Sequence, residues 1–212
     1  MIASPITERN RKLGESVAAN LRARFFDAAY YDTASEAVSA ALSMIPEGAS
    51  VTFGGSMTIL DTGLVAALKA GNYQVFDRAD APLAARPDFV REHFFSDWFL
   101  SSANALSEEG VLYNMDGTGN RVASLIYGPK NVLLLIGINK IAKNHDAAIA
   151  RVRGTAAPIN AQRFDVATPC KKTGRCADCR FPDSICCTMT VMRLCRPAGR
   201  IKVILFGEEA GF

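Results

Sequence analysis

The chain has 212 residues, of which 49% are hydrophobic and 21% are charged, with a net charge of +3. This composition is that of a globular protein with a real core, and the length favours one domain, 1–212, with an appendage. Lysine and arginine are scattered, which argues against a nucleic-acid partner. No apolar run could span a bilayer, and the N-terminus lacks the basic and apolar regions of a signal peptide. We therefore expect a cytoplasmic protein with no membrane partner.

Predicted helices and strands alternate along the chain. Ser4 and Pro5 indicate the start of a first helix, and Thr33 with Glu36 forms a capping box before a second. Further predicted helices follow residue 58 and cover 120–127 and about 145–153, and Pro158 should break or kink the last of these. Strands are predicted at 49–53, 73–76, 98–101, 111–113, 132–136 and 201–206. The alternation predicts an α/β fold with a wound, mostly parallel sheet flanked by helices.

The loop after the predicted strand at 49–53 suits an anionic ligand. Gly54, Gly55 and Ser56 lead through Met57 to Thr58, where a helix resumes. Glycines let backbone N–H groups approach a ligand, and a helix N-terminus carries partial positive charge. The alternative is a turn that uses glycine only for its geometry.

A second polar segment, 114–121, precedes the predicted helix at 120–127. Asp116 could orient a hydroxyl group, Asn120 could cap the helix, and Arg121 could bind a carboxylate or phosphate through two hydrogen bonds. Thr118 and Gly119 complete the predicted ligand loop, although a tight turn braced by its own side chains is the alternative. Because ligands of wound sheets bind at the carboxyl ends of strands, we expect this segment and 54–58 to line one cleft. Lys140 follows the predicted strand at 132–136 and is a further candidate, unless it is an ordinary surface lysine.

All six cysteines lie between residues 170 and 195. Their clustering in a chain without an export signal indicates metal ligation rather than a disulfide framework. We predict that Cys170, Cys176, Cys179 and Cys186 bind one centre within a cysteine-rich appendage, 168–196, with Cys187 or Cys195 as the reserve ligand. The spacing suits an iron–sulfur cluster, favoured as the 4Fe–4S type, or zinc. Redox-active thiols without metal and inert buried cysteines are the alternatives.

Several stretches resemble the lactate-utilisation (LUD) domain family. They are 101–110 running into Asn114-Met115-Asp116-Gly117-Thr118-Gly119-Asn120-Arg121, then Tyr127-Gly128-Pro129-Lys130 with 137–141, and finally the cysteine segment from Thr168 to Cys186, which resembles the tail of a stand-alone, cysteine-bearing branch. The resemblance runs from about Ser4 to the C-terminus. It implies a fold like that of sugar-phosphate isomerases and CoA transferases, a part in oxidising lactate to pyruvate, and iron–sulfur partner proteins. The stretch 107–112 is also similar to a CoA-transferase motif, which implies that Glu108 is a nucleophile.

These features support three hypotheses. The first is a redox-associated protein of lactate or related 2-hydroxy/2-oxo-acid metabolism, which binds a small anionic ligand and carries the cysteine-held metal. The second is an acyl- or CoA-transferring enzyme with Glu108 as its nucleophile. The third is a non-catalytic subunit or ligand sensor whose metal is structural. A brown colour would support the first hypothesis. Loss of activity on Glu108→Gln in a colourless protein would support the second, and a colourless zinc protein with a bound ligand and no turnover would support the third.

Overall fold

The computed structural model describes residues 4–212, and its main element is a six-stranded sheet. All neighbouring strands in this sheet are parallel, in the order β1-β10-β7-β4-β2-β3. The strands are β1 (Asp27–Tyr31), β2 (Ser50–Phe53), β3 (Gln74–Phe76), β4 (Trp98–Ser101), β7 (Asn131–Gly137) and β10 (Ile201–Phe206). Every carboxyl end therefore meets the same edge of the sheet.

A second, four-stranded sheet has the order β8-β5-β6-β9. Its strands are β5 (Ala105–Ser107), β6 (Leu112–Asp116), β8 (Ile141–Ala142) and β9 (Thr188–Met192). β6 is antiparallel to both β5 and β9, whereas β5 and β8 are parallel. Because β9 belongs to the cysteine-rich segment, the second half of that segment is part of the domain's own sheet.

Helices connect the strands and cover the sheets. They are α1 (Pro5–Ala23), α2 (Ala34–Met44), α3 (Met57–Asp61), α4 (Leu64–Ala70), α5 (Arg86–Glu92), α6 (Asn120–Tyr127), α7 (His145–Arg151), α8 (Ala157–Ala161) and α9 (Pro169–Thr173). Ser4 caps α1 by accepting from Thr7 N–H, and Thr33 and Glu36 form the capping box of α2. None of the helices within residues 4–212 is both long and apolar enough to cross a membrane.

The core lies on both faces of the main sheet. One face packs against α2, α3 and α4 through residues such as Ala41, Ile59 and Leu68. The other face packs against α1, α6 and one face of the second sheet. The second sheet buries its remaining side against α7 and the helical turn after it, where Ala148 and Val152 belong to the same core cluster as Tyr113. This layering leaves the carboxyl edge of the main sheet free to carry loops.

The predicted α/β fold with a parallel sheet flanked by helices is confirmed. The predicted strands at 98–101 and 201–206 and the helix at 120–127 have the observed bounds. β1 and the short strands β5, β8 and β9 were not predicted. Of the two effects predicted for Pro158, a break or a kink, the break does not occur, because a π-helical turn (Val152–Ala156) leads directly into α8 with the proline in its first turn. Residues 1–3, which belong to the stretch without export-signal features, lie outside the described residues.

Candidate functional site

A cleft of about 290 Å³ lies at the carboxyl edge of the main sheet. The loops that follow β2, β3, β4 and β7 line it, together with the end of β6, the start of α6, the residues around α8 and the C-terminal residues after β10. The lining residues are Gly54, Gly55, Ser56, Met57, Arg78, Ser102, Ala103, Asn104, Met115, Asp116, Gly117, Thr118, Asn120, Arg121, Lys140, Asn160, Arg163, Phe164, Ile185 and Phe212. This is the position at which parallel α/β sheets bind ligands.

The two loops singled out in the sequence meet in this cleft. Eight of the ten predicted ligand-binding residues line it, namely Gly54, Gly55, Ser56, Asp116, Thr118, Asn120, Arg121 and Lys140. Thr58 is fully buried behind the cleft wall, where its hydroxyl contacts Lys140. Gly119 instead lines a neighbouring groove beside α5. The ligand roles of these residues remain predictions.

Arg121 braces the cleft wall. Its Nη1 and Nη2 donate to the side-chain oxygens of Asn114 and Asn104, at 2.8 and 2.9 Å, and to the carbonyls of Ser102 and Met115. Its Nε lies 3.4 Å from Asp116 Oδ1. The guanidinium donors therefore all face protein acceptors, which favours the bracing alternative over the predicted anion anchor. Asp116 in turn accepts from the backbone N–H groups of Arg121 and Val122 and so caps α6.

Lys140 is a buried lysine, only 3% exposed, and it forms no salt bridge with any residue in 4–212. Its Nζ donates to Thr58 Oγ1 at 2.7 Å and to Ser102 Oγ at 3.1 Å. Burial lowers the pKa of Lys140 to about 7, and the charges of Arg151 and Arg121 add to this effect. The surface-lysine alternative is therefore wrong.

Two arginines that were not predicted as site residues complete the cleft. Arg163 follows α8 and donates to Gly55 O and Asn160 Oδ1 through Nη1. Arg78 lies just after β3, and its guanidinium has no hydrogen-bond partner among residues 4–212. A Cβ atom at Gly55 would lie 2.8 Å from Arg78 Nη2 and 3.9 Å from Arg163 Nη2, so both groups approach the same stretch of backbone. Burial lowers the pKa of Arg163, and the charge of Arg78 lowers it further.

The cleft is electropositive and small. Three arginines and Lys140 line it, and the one carboxylate side chain among the lining residues, that of Asp116, is already paired with Arg121. Its volume is at the lower end of the range of roughly 300–1,000 Å³ typical of sites for drug-sized ligands. The charge of the cleft favours an anion, and its volume suits a small anion better than a whole CoA ester.

Five of the six cysteines gather beside this cleft. Burial raises the pKa of Cys186 to about 11, and Cys170, Cys176, Cys179 and Cys187 are close enough to raise it further. Ile185, the residue before Cys186, lines the cleft, and Cys187 N–H donates to Asp116 O at 2.9 Å. Within residues 4–212, no three His, Cys, Asp or Glu side chains are arranged as a finished metal centre. Thiolates are nevertheless the type of donor that zinc and iron–sulfur clusters bind.

Cys195 does not belong to this group, so its choice as a reserve ligand is wrong. It is 3% exposed within the core beneath α1, and its thiol donates to Pro197 O at 3.2 Å and accepts from Ile201 N–H at 3.3 Å. Cys187 is the remaining reserve ligand.

Glu108 does not line the cleft. Its carboxylate is 2.7 Å from Lys143 Nζ at the surface. The turn that contains it packs on α1, where Asn20 Nδ2 donates to Glu108 O and Arg24 Nε donates to Glu109 O. This placement does not fit a nucleophile acting on a ligand in the cleft.

The fold and the cleft define an α/β protein with a wound parallel sheet and a basic cleft at its carboxyl edge. The sequence matches the LUD domain over residues 14–206, and the chain belongs to this family. No curated protein sequence matches it. A DUF162 family protein from Deinococcus radiodurans has a similar fold, with a TM-score of 0.55 and 11% identity over 93% of this chain and 98% of that one.

Proposed function

We propose that this protein binds a small 2-hydroxy or 2-oxo carboxylate in the cationic cleft and serves in the redox metabolism of lactate or a related acid. The observation that carries the proposal is the excess of positive charge in the cleft. Arg78 has no protein partner among the described residues, and Arg163 uses only Nη1, for two neutral acceptors, so both guanidinium groups keep donors for an anion. A carboxylate between the two guanidinium groups would supply the missing partner through charge-assisted hydrogen bonds.

The cysteine group supports the redox part of the proposal. Cys170, Cys176, Cys179 and Cys186, with Cys187 in reserve, would hold an iron–sulfur cluster or zinc next to the cleft. An iron–sulfur cluster, when bound, would accept and pass on single electrons. The residues of this chain would bind and orient the ligand close to that centre, through Arg78, Arg163 and Ser56. An iron–sulfur partner protein would receive the electrons.

The ligand part is tested by calorimetric titration with L-lactate, pyruvate, inorganic phosphate and acetyl-CoA. We expect lactate or pyruvate to bind, and Arg163→Gln to weaken binding by about tenfold or more, since a hydrogen bond to a charged group contributes roughly 1.5–3 kcal/mol. Arg91→Gln is the matched control, because Arg91 is exposed on α5 and pairs with Asp88. Equal binding by both variants would refute the role of the cleft.

The metal part is tested on anaerobically purified protein by absorbance and by iron, sulfide and zinc analysis. Visible absorption with iron and sulfide in similar amounts would support the redox proposal. Stoichiometric zinc without colour would support a structural metal, and a ligand that binds without turnover would then indicate a sensor or non-catalytic subunit. Protein free of both metals after anaerobic reconstitution would contradict the metal centre.

A further inference from the structure

Lys140 differs from the other cations of the cleft in how it is held. Among residues 4–212, its Nζ has hydrogen bonds only with neutral hydroxyl groups, those of Thr58 and Ser102. A neutral amine has two hydrogens and one lone pair, whereas an ammonium group has three hydrogens to satisfy. Two acceptors therefore match the neutral amine and leave its lone pair free. Lys140 lines the cleft, and so does Ser102, which its Nζ contacts, so the amine lies at the cleft wall within reach of a bound ligand.

The charged groups around Lys140 also disfavour its protonation. Arg151 on α7 and Arg121 on α6 raise the cost of a positive charge at Nζ, and Asp61 on α3 opposes them. The pKa of about 7 means that a large part of Lys140 is neutral at physiological pH. Desolvation and neighbouring cations are the two means by which proteins turn a lysine into a nucleophile.

We propose that Lys140 forms a covalent imine with the carbonyl carbon of a 2-oxo acid bound in the cleft. This proposal rests on the ligand class proposed above. The Nζ lone pair attacks the carbonyl carbon and gives a carbinolamine. The carbonyl oxygen then takes up two protons, one from the amine and one from the medium, and leaves as water. The product is a protonated C=N bond in place of C=O, with no change of oxidation state.

The position of the anion-binding groups fits this chemistry. A 2-oxo acid has its carboxylate bonded directly to the reacting carbon, so its anionic end must lie close to the amine. Arg163 and Arg78 line the same small cleft as Lys140 and offer guanidinium donors to that carboxylate. A protonated imine withdraws electrons from the neighbouring carbon and favours proton removal there. Lys140 would thus make the cleft an enzymatic centre independent of the thiols.

The test is reductive trapping. Anaerobic protein is incubated with pyruvate or glyoxylate and cyanoborohydride, digested, and mapped by mass spectrometry. We expect a carboxyethyl adduct from pyruvate, or a carboxymethyl adduct from glyoxylate, concentrated on Lys140 and absent from Lys140→Met. Lys143→Met is the matched control, because Lys143 is exposed three residues away and should leave the adduct unchanged. Trapping at Lys140 should rise through about pH 7, whereas exposed lysines react only as the pH approaches ~10.

The outcomes separate this proposal from the proposed function. Calorimetric binding of pyruvate without an adduct on Lys140 would overturn the imine and leave the anion site intact. If pyruvate and glyoxylate neither bind nor form an adduct, both proposals are overturned. Adducts spread evenly over surface lysines, with no excess at Lys140, would also overturn the imine. Because wild-type peptide mapping identifies the reacting residue, the result holds even if Lys140→Met folds poorly.

Discussion

Replacing Lys140 by methionine is expected to stabilise the folded protein at low pH and to have little effect at high pH. The folded pKa is about 7 against an ordinary value of 10.5. Between these values the unfolded chain binds more protons than the folded chain, so the free energy of unfolding rises with pH. Methionine has no proton to bind and keeps a side chain of similar length, so it removes this dependence.

The magnitude follows from the two pKa values. A tenfold change in proton affinity corresponds to about 1.4 kcal/mol, so the protonation of Lys140 lowers the free energy of unfolding by about 5 kcal/mol at about pH 6 and by about 2 kcal/mol at about pH 9. Methionine also loses the hydrogen bonds to Thr58 and Ser102, which contribute about 1 kcal/mol each. Lys140→Met should therefore raise the free energy of unfolding by about 3 kcal/mol at about pH 6 and leave it nearly unchanged at about pH 9.

Urea unfolding followed by fluorescence measures this difference, because the single tryptophan, Trp98, is buried in β4. The protein should be kept reduced and free of anionic ligands, since a ligand that binds the folded state raises its apparent stability. Lys143→Met is the control, and it should show no comparable dependence on pH. If Lys140→Met is less stable than the wild type by the same amount at both pH values, the lysine is charged and structurally required, and the reasoning fails.

Two further predictions concern the cleft wall and the thiols. Arg121→Lys should lower the free energy of unfolding by about 3 kcal/mol, with and without ligand alike, because lysine leaves several buried acceptors unpaired. If the substitution weakens only ligand binding, Arg121 is an anion anchor and not a brace. Cys176→Ser should abolish metal binding in reconstituted protein. Cys195→Ser should keep the metal and lower the melting temperature, because its new hydroxyl lies in the core. Loss of the metal from Cys195→Ser but not from Cys176→Ser would contradict the assignment of Cys195.

The sequence predicted the central strands well because they are buried on both faces. Such strands appear as apolar runs, and β7 and β10 do so clearly. β1 was missed because it is an edge strand with only Ala28 fully buried, so its residues show no such run. β8 has two residues, too few for any pattern. Long buried elements carry their own signal, whereas short or edge elements form only when a neighbour is present.

The candidate site was predictable where its residues follow predicted strands. Gly54, Asp116 and Lys140 were found in that way, and Arg78 could have been, because it comes two residues after the predicted strand at 73–76. Arg163 follows a short helix, and nothing around it in the sequence indicates a ligand site. The role of Arg121 could not be inferred, because Asn104, one of its acceptors, lies 17 residues away. The sequence predicts the backbone position of a residue but not which acceptors surround the terminal group of its side chain.

The position of the thiols beside the cleft follows from one strand pairing. β9 begins directly after Cys187 and pairs with β6, so that Thr188 lies opposite Asp116. The same pairing brings Ile185 against Gly117, where a Cβ atom would lie 3.4 Å from the Ile185 Cα. The end of β6 therefore holds both a wall of the cleft and the last two cysteines of the group, Cys186 and Cys187. A shift of Cys187 on metal binding is therefore expected to reach Asp116, whose carbonyl accepts from Cys187 N–H, and through Asp116 to reach Arg121, which braces the ligand cleft.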